Sequence, residues 1–238
     1  MIKKKYLGIL GSEGFVGSSI ARYCRRNKIK FIGITRKNNF KYKNFNFEFL
    51  VNCAMPSKRY WAKKFPLKDF DETVKKTDFF LKNFTFKKII QISSVSARVQ
   101  LNTIYGKNKK KAENLIKKEK NYTIFRLASM YGRGLSKGVL IDLTRSSTVF
   151  LSKNSKYSFT KIDKIAEFII LNINQFKNKT MEIGCNDYLK LDDIKKKIRS
   201  NSKFRGPIDN QVLKNYKVNN FFGSSKDVFI FLNKIRNK

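Results

Sequence analysis

The chain holds 238 residues, 41% of them hydrophobic, enough to bury one large core or a core with a small annex. It contains no histidine, which excludes histidine-based triads and most zinc sites, and no run of about 18 uncharged apolar residues, which excludes a membrane-spanning helix. A formal charge of +36 invites a nucleic-acid partner, but the lysines are scattered along the whole chain, and Lys, Asn, Ile and Phe, whose codons are A/T-rich, dominate the composition; nucleic acid is therefore the weaker expectation, and attraction for anionic nucleotides follows either way.

Residues 5–10 read as a short apolar strand, with too little apolar sequence before it for a signal peptide. Cys24, Cys53 and Cys185 form an odd, sparse set without C-x-x-C, which fits a reducing compartment and a cytoplasmic protein. Residues 15–25 predict a helix with Val16, Ile20 and Tyr23 on one face. Strands follow at 30–34 and 49–53. The stretch between them, rich in Asn, Lys and Phe, has no helical period; it predicts a truncated connection and a sheet one element short at that edge. A helix over 68–83 turns Phe70, Val74, Phe80 and Leu81 inward, and an apolar strand over 88–92 ends in Ser93-Ser94. Residues 102–120 are helical and 123–127 form a strand. This alternation gives a parallel sheet in an α/β fold of the Rossmann, doubly wound type. Beyond Gly134 the rhythm changes: helices at 138–144, 161–173, 191–198 and 227–236 and extended pieces at 157–159 and 180–183 predict a small substrate-covering lobe.

Gly11-Ser12-Glu13-Gly14-Phe15-Val16-Gly17 lies between a strand and a helix. Its glycines permit a tight turn, close approach of backbone to a pyrophosphate and close helix–strand packing, while the helix start offers unpaired N–H groups to phosphate. Where an acidic residue would read the adenosine ribose at the end of the second strand, the sequence has Thr35-Arg36-Lys37. A guanidinium suits a 2′-phosphate, so NADP is expected, with NAD as the alternative. Tyr105 and Lys109, four residues apart, share a helix face. A nearby ammonium and a cationic nicotinamide would lower the phenol's pKa, Lys109 could also hold the nicotinamide ribose, and Ser94 could hold a substrate oxygen. Ser94, Tyr105 and Lys109 are the expected catalytic set.

These residues resemble the short-chain dehydrogenase/reductase superfamily in its extended, NAD-dependent epimerase/dehydratase branch, over nearly the whole chain. Gly11, Gly14 and Gly17 are similar to that branch's G-x-x-G-x-x-G; Asn52-Cys53-Ala54 looks like its turn beside the cofactor; Ser93-Ser94 looks like its active-site segment; Tyr105 and Lys109 match Y-x-x-x-K. Arg126 with Met130-Tyr131-Gly132 looks like R-P-x-x-x-Y-G, and residues 158–163 and 182–184 resemble motifs of the substrate lobe. The resemblance implies a nicotinamide-binding domain over residues 1–132, a substrate-binding portion over 133–238 interwoven with it, a nucleotide-sugar substrate, a role in surface polysaccharide synthesis and a homodimer through two helices per subunit. It also implies cofactor contacts from the loop residues, Arg36, Asn52, Cys53, Ala54, Tyr105 and Lys109.

The departures narrow the chemistry. Leu127 stands where the family often has proline, and the interval from Ser94 to Tyr105 is short. Val95-Ser96 replaces the acidic pair of the sugar 4,6-dehydratases, and the Cys/His pair of GDP-fucose synthases is impossible without histidine. A ketoreductase or a 4-epimerase is expected. The competing readings are a non-catalytic dinucleotide-binding sensor or assembly factor and, third, an RNA-binding protein.

Overall fold

The computed structural model describes residues 6–214 and 220–236; Lys5, where the first strand was expected to begin, lies outside them. The chain divides into two compact units, residues 1–126 with 166–181 and residues 127–165 with 182–238.

The first unit is built on a six-stranded sheet. In chain order its elements are β1 (Leu7–Leu10), α1 (Phe15–Arg26), β2 (Phe31–Ile34), β3 (Asn46–Asn52), α2 (Arg59–Lys64), α3 (Pro66–Phe70), α4 (Lys76–Asn83), β4 (Thr85–Ser94), α5 (Ser96–Val99), α6 (Ile104–Ile116) and β5 (Tyr122–Leu127). The strand order is β2-β1-β3-β4-β5-β9, the last being Lys179–Ile183, and β1 pairs parallel with both β2 and β3, as β3 does with β4. Apolar side chains on both faces keep the central strands dry, with Ile9, Leu10, Leu50, Val51, Ile89 and Ile90 fully buried. The chain leaves β1 toward β2 on one side and returns for β3 on the other, so the direction of winding reverses between β1 and β3. Ligands of open α/β sheets bind outside the carboxyl ends of the strands at such a reversal.

The edge beyond β2 is short, as the sequence predicts. A doubly wound sheet of order 3-2-1-4-5-6 carries one more strand there. Here only a 3₁₀ turn, Asn39–Tyr42, stands between β2 and β3. Asn38 stabilises the departure from β2 by accepting a hydrogen bond from the Thr35 N–H at 2.7 Å.

Two buried faces differ from the expected ones. In α1 the inward stripe is Gly17, Ile20, Ala21 and Cys24, while Val16 and Tyr23 are half-buried. The expected helix over 68–83 is a helical run from Pro66 to Asn83 whose middle, Asp71–Lys75, winds as a π-helix. Asp69, Thr73 and Thr77 are buried along this run together with Val74 and Phe80. The helix α2 was not expected; its six residues are too few to show a period.

The second unit contains β6 (Ser129–Tyr131), α7 (Val139–Thr144), β7 (Lys156–Tyr157), β8 (Phe159–Lys161), β10 (Leu189–Lys190), α9 (Leu191–Lys197) and α10 (Val228–Arg236), while α8 (Ile162–Leu171) and β9 run across the division. Its core gathers Leu140, Leu143, Tyr157, Phe159, Leu191, Ile194, Val228 and Leu232. β6 pairs parallel with β8, and β10 pairs antiparallel with β7. Among the described residues no helix is long and apolar enough to cross a membrane.

Candidate active site

The glycine loop grows directly from β1. The Gly11 N–H donates to the Ile34 carbonyl at 2.8 Å, and the Gly14 N–H donates to the Gly11 carbonyl at 3.0 Å, which closes the turn. Gly11 has φ +74°, and a Cβ there would lie 2.9 Å from the Ala54 backbone. A Cβ on Gly17 would lie 2.2 Å from the Gly11 carbonyl oxygen, so only glycine lets α1 start this close to the loop. Gly14 and Glu13 are exposed and Phe15 and Val16 half-buried. The start of α1 has no side-chain cap and no acidic residue in its first turn. Its first N–H groups therefore remain available to an anion, and the cradle fits the pyrophosphate of a dinucleotide.

The turn after β3 packs beside this loop. Asn52 is buried; its side-chain N–H donates to Gln91 on β4 at 3.0 Å, and its carbonyl oxygen accepts the Ala54 N–H at 3.0 Å. This ties the Asn52-Cys53-Ala54 turn to two strand ends at once. Desolvation raises the half-buried Cys53 thiol above its ordinary pKa, which keeps it neutral at neutral pH.

Arg36 follows β2 and is exposed, but it is not unpartnered. Its guanidinium donates to Glu72 at 2.8 Å, and Lys76 reaches the same carboxylate at 2.8 Å. Sequence reasoning missed Glu72, because nothing local in the sequence links it to Arg36.

Ser94, Tyr105 and Lys109 come together. Ser94 closes β4, and the Tyr105 phenol is hydrogen-bonded to its hydroxyl. The Lys109 ammonium lies 5.1 Å from the centre of the Tyr105 ring and donates to the Pro56 carbonyl at 2.8 Å. The helix that carries them is capped by Thr103, whose hydroxyl oxygen accepts the Gly106 N–H at 3.1 Å. Its register is locked further along: Glu113, fully buried, takes a forked ion pair from Arg126 on β5 at 2.6 and 2.8 Å and a hydrogen bond from Ser93 at 2.7 Å. Removing one partner of such a buried pair costs about 3–5 kcal/mol, so this lock fixes where Tyr105 and Lys109 stand.

Burial governs the charges. It pushes the Tyr105 phenol up to about 12, opposed by the nearby Arg59 cation and the Ser94 hydrogen bond. The protein alone thus reverses the lowered phenol expected from the sequence, because a desolvated phenolate costs more than the neighbouring cations return. Burial also pulls Lys109 down to about 7, against the carboxylates of Asp69 and Glu113. Asp69, Asn108 and Glu113 were not among the expected site residues; the only signal for Glu113 was an acid four residues beyond Lys109 in a lysine-rich helix.

Known proteins place this architecture. A UDP-glucose 4-epimerase from Thermotoga maritima, solved with UDP-glucose, superposes with a TM-score of 0.80 at 14% identity, over 98% of this chain and 99% of that one. A dTDP-4-dehydrorhamnose reductase from Clostridium acetobutylicum gives 0.75 at 16% identity, over 97% and 99%. The chain has the fold of these proteins. A UDP-N-acetylglucosamine 4-epimerase from Methanobrevibacter ruminantium, in complex with UDP-N-acetylmuramic acid, gives 0.74 at 13% identity, over 99% and 97%. No protein-family model matches the sequence, and no curated protein matches it.

Proposed function

We propose that the protein is a nicotinamide-dependent oxidoreductase or epimerase of the extended short-chain dehydrogenase/reductase type, acting on a nucleotide-activated sugar. The observation that carries this reading is the convergence of Ser94, at the carboxyl end of β4, with Tyr105 and Lys109 on α6, in the same sheet whose β1 carries the glycine loop at its carboxyl end. The shared fold of sugar-nucleotide epimerases and a reductase supports the substrate class.

The loop Gly11 to Gly17 and the start of α1 would hold the pyrophosphate, Arg36 the adenosine end, and Lys109 the nicotinamide ribose. A bound reduced nicotinamide would supply a hydride to a carbonyl carbon. Ser94 donates a hydrogen bond to the carbonyl oxygen and fixes it. Tyr105 gives that oxygen its proton, and the phenolate so formed is reprotonated from solvent. The buried phenol is protonated at neutral pH, the state from which ketone reduction starts, whereas 4-epimerisation starts from the phenolate. NADP is the favoured cofactor because Arg36 stands at the end of β2. Substrate choice is assigned to residues 133–238, and a homodimer and a place in surface polysaccharide synthesis belong to the same reading.

The test is NADPH fluorescence titration followed by turnover with 4-keto sugar nucleotides carrying UDP, GDP or dTDP. NADPH binding with turnover is expected. Tyr105→Phe should bind NADPH as the parent does and lose about 10²–10⁴-fold in rate. Binding without turnover of any ketosugar would make the protein a sensor, and no binding of either dinucleotide would remove the reading.

A further inference from the structure

One carboxylate beside Lys109 has no assigned task. Asp69, on α3, is fully buried. One of its oxygens, Oδ2, accepts a hydrogen bond from the Asn108 side chain at 2.8 Å, and the other, Oδ1, is buried with no hydrogen-bond partner. Asn108 is the residue immediately before Lys109, so the carboxylate is clamped to the very turn of α6 that presents the ammonium. Lys109 is itself 3% exposed and spends one N–H on the Pro56 carbonyl. An amine this dry is driven toward its neutral form unless a negative charge compensates it.

Two carboxylates are in electrostatic range of Lys109, Asp69 and Glu113. The second is already engaged by the Arg126 fork and by Ser93. The other groups facing the lysine are Tyr105 and Asn108 on its own helix, with Arg59 on α2 acting on Tyr105 and Ser94 at the end of β4 bonded to it. None of these supplies a negative charge while Tyr105 is protonated.

We propose that Asp69 is the counter-charge of Lys109, a positioning residue whose buried carboxylate, oriented by Asn108, offsets part of the cost that burial imposes on that ammonium. The proposal deepens the oxidoreductase reading and, for its role in that reaction, rests on it. It gives Asp69 two opposed effects, since the carboxylate favours the charged lysine and disfavours a charged Tyr105. Burial raises the Asp69 carboxyl itself and Asn108 and Lys109 oppose that rise, so the coupling favours phenol and ammonium without fixing either. Asn108 gains a reason as well: without its N–H on Oδ2, both oxygens of a buried carboxylate would lack a donor.

Asp69→Asn separates charge from shape, because the amide oxygen still accepts the Asn108 N–H. The measurement is the titration of Lys109 in the cofactor-free protein by NMR of ¹³Cε-labelled lysine, with its signal assigned by its loss in Lys109→Met. In the parent the midpoint should lie near 7. In Asp69→Asn it should fall by about one pH unit or more. A midpoint unchanged in a folded Asp69→Asn overturns the proposal, since a merely structural Asp69 would leave it in place. Should that variant not fold, the reciprocal holds: in Lys109→Met the Asp69 carboxyl midpoint must rise by a matching amount, and its constancy overturns the coupling. NADPH titration of the same samples keeps the two ideas apart. A shifted Lys109 in a protein that binds no dinucleotide upholds the counter-charge and removes the oxidoreductase reading; dinucleotide binding with an unmoved Lys109 does the opposite.

Discussion

A side chain at Gly14 and one at Gly17 would meet different neighbours, and the difference separates the loop's binding role from its packing role. Gly14 has φ −71° and is exposed, and a Cβ there would sit 3.2 Å from the Gly11 carbonyl oxygen, a contact that a small shift relieves. At Gly17 the same atom would stand 2.2 Å from that backbone oxygen, an overlap too large for a small shift of the turn to relieve. Gly14→Val should therefore cost about 1 kcal/mol, a poorer helix start, and lower Tm by about 2–4 °C, while its side chain fills the cradle and abolishes NADPH binding. Gly17→Val should cost about 3 kcal/mol or more and lower Tm by at least about 6 °C. Thermal melts and calorimetric titration read both. Unchanged NADPH affinity in Gly14→Val would make the loop a turn and nothing more. The packing role of Gly17 was legible in the sequence from its spacing alone. Gly106 was not: a Cβ there would lie 2.1 Å from the Gln100 carbonyl, a demand created by the short α5 turn folding back on α6.

At the scale of elements, cofactor choice is a competition between β2 and the π-helical turn that precedes α4. The Arg36 guanidinium, 78% exposed, is held by Glu72. An exposed pair of this kind is worth about 0.2–1 kcal/mol, whereas a charge-assisted bond to a 2′-phosphate contributes about 1.5–3 kcal/mol, so on the proposed reading a bound 2′-phosphate would displace Glu72. Arg36→Ala should weaken NADPH by about 10–150-fold and leave NADH nearly unchanged. Glu72→Gln should tighten NADPH by about 1.5–5-fold, the worth of the released pair. Dissociation constants for both dinucleotides at one salt concentration decide it; a parent that prefers NADH, or a ratio indifferent to Arg36, sinks the NADP assignment. The same elements show what a single sequence reveals. The strands were readable as short apolar runs bounded by turn residues, and the longer helices from the spacing of their apolar residues. The buried face of the 66–83 run was not, because three of its residues, Asp69, Thr73 and Thr77, are polar and apolar spacing does not mark them. Ser94, Tyr105 and Lys109 were found because their spacing is local. Asp69 and Glu72 were missed because their partners, Asn108 and Arg36, are 39 and 36 residues away.

For the whole molecule, the charge of +36 acts in opposite directions on stability and on binding. Like charges this numerous repel one another in the folded state more than in the expanded chain, so the native protein carries a self-repulsion that salt relieves. The ion pairs that salt weakens are mostly exposed, such as Lys75–Asp71 and Lys82–Asp78, and are worth little. The buried Glu113–Arg126 pair is shielded from ions. Tm should therefore rise between about 20 mM and 0.5 M NaCl, by about 2–8 °C for a relief of about 1–2 kcal/mol in a chain of this size. The dissociation constant for NADPH should weaken over the same range, because the field that draws an anionic dinucleotide is screened. Association of two copies would bring together two strongly basic surfaces, so a homodimer should be favoured by salt as well. Scanning calorimetry, NADPH titration and sedimentation across one salt series test all three. A Tm that falls with salt would mean that exposed ion pairs outweigh the repulsion. A Tm that rises while NADPH affinity stays constant would mean that the dinucleotide is held by the loop and the start of α1 alone, with the lysines as spectators.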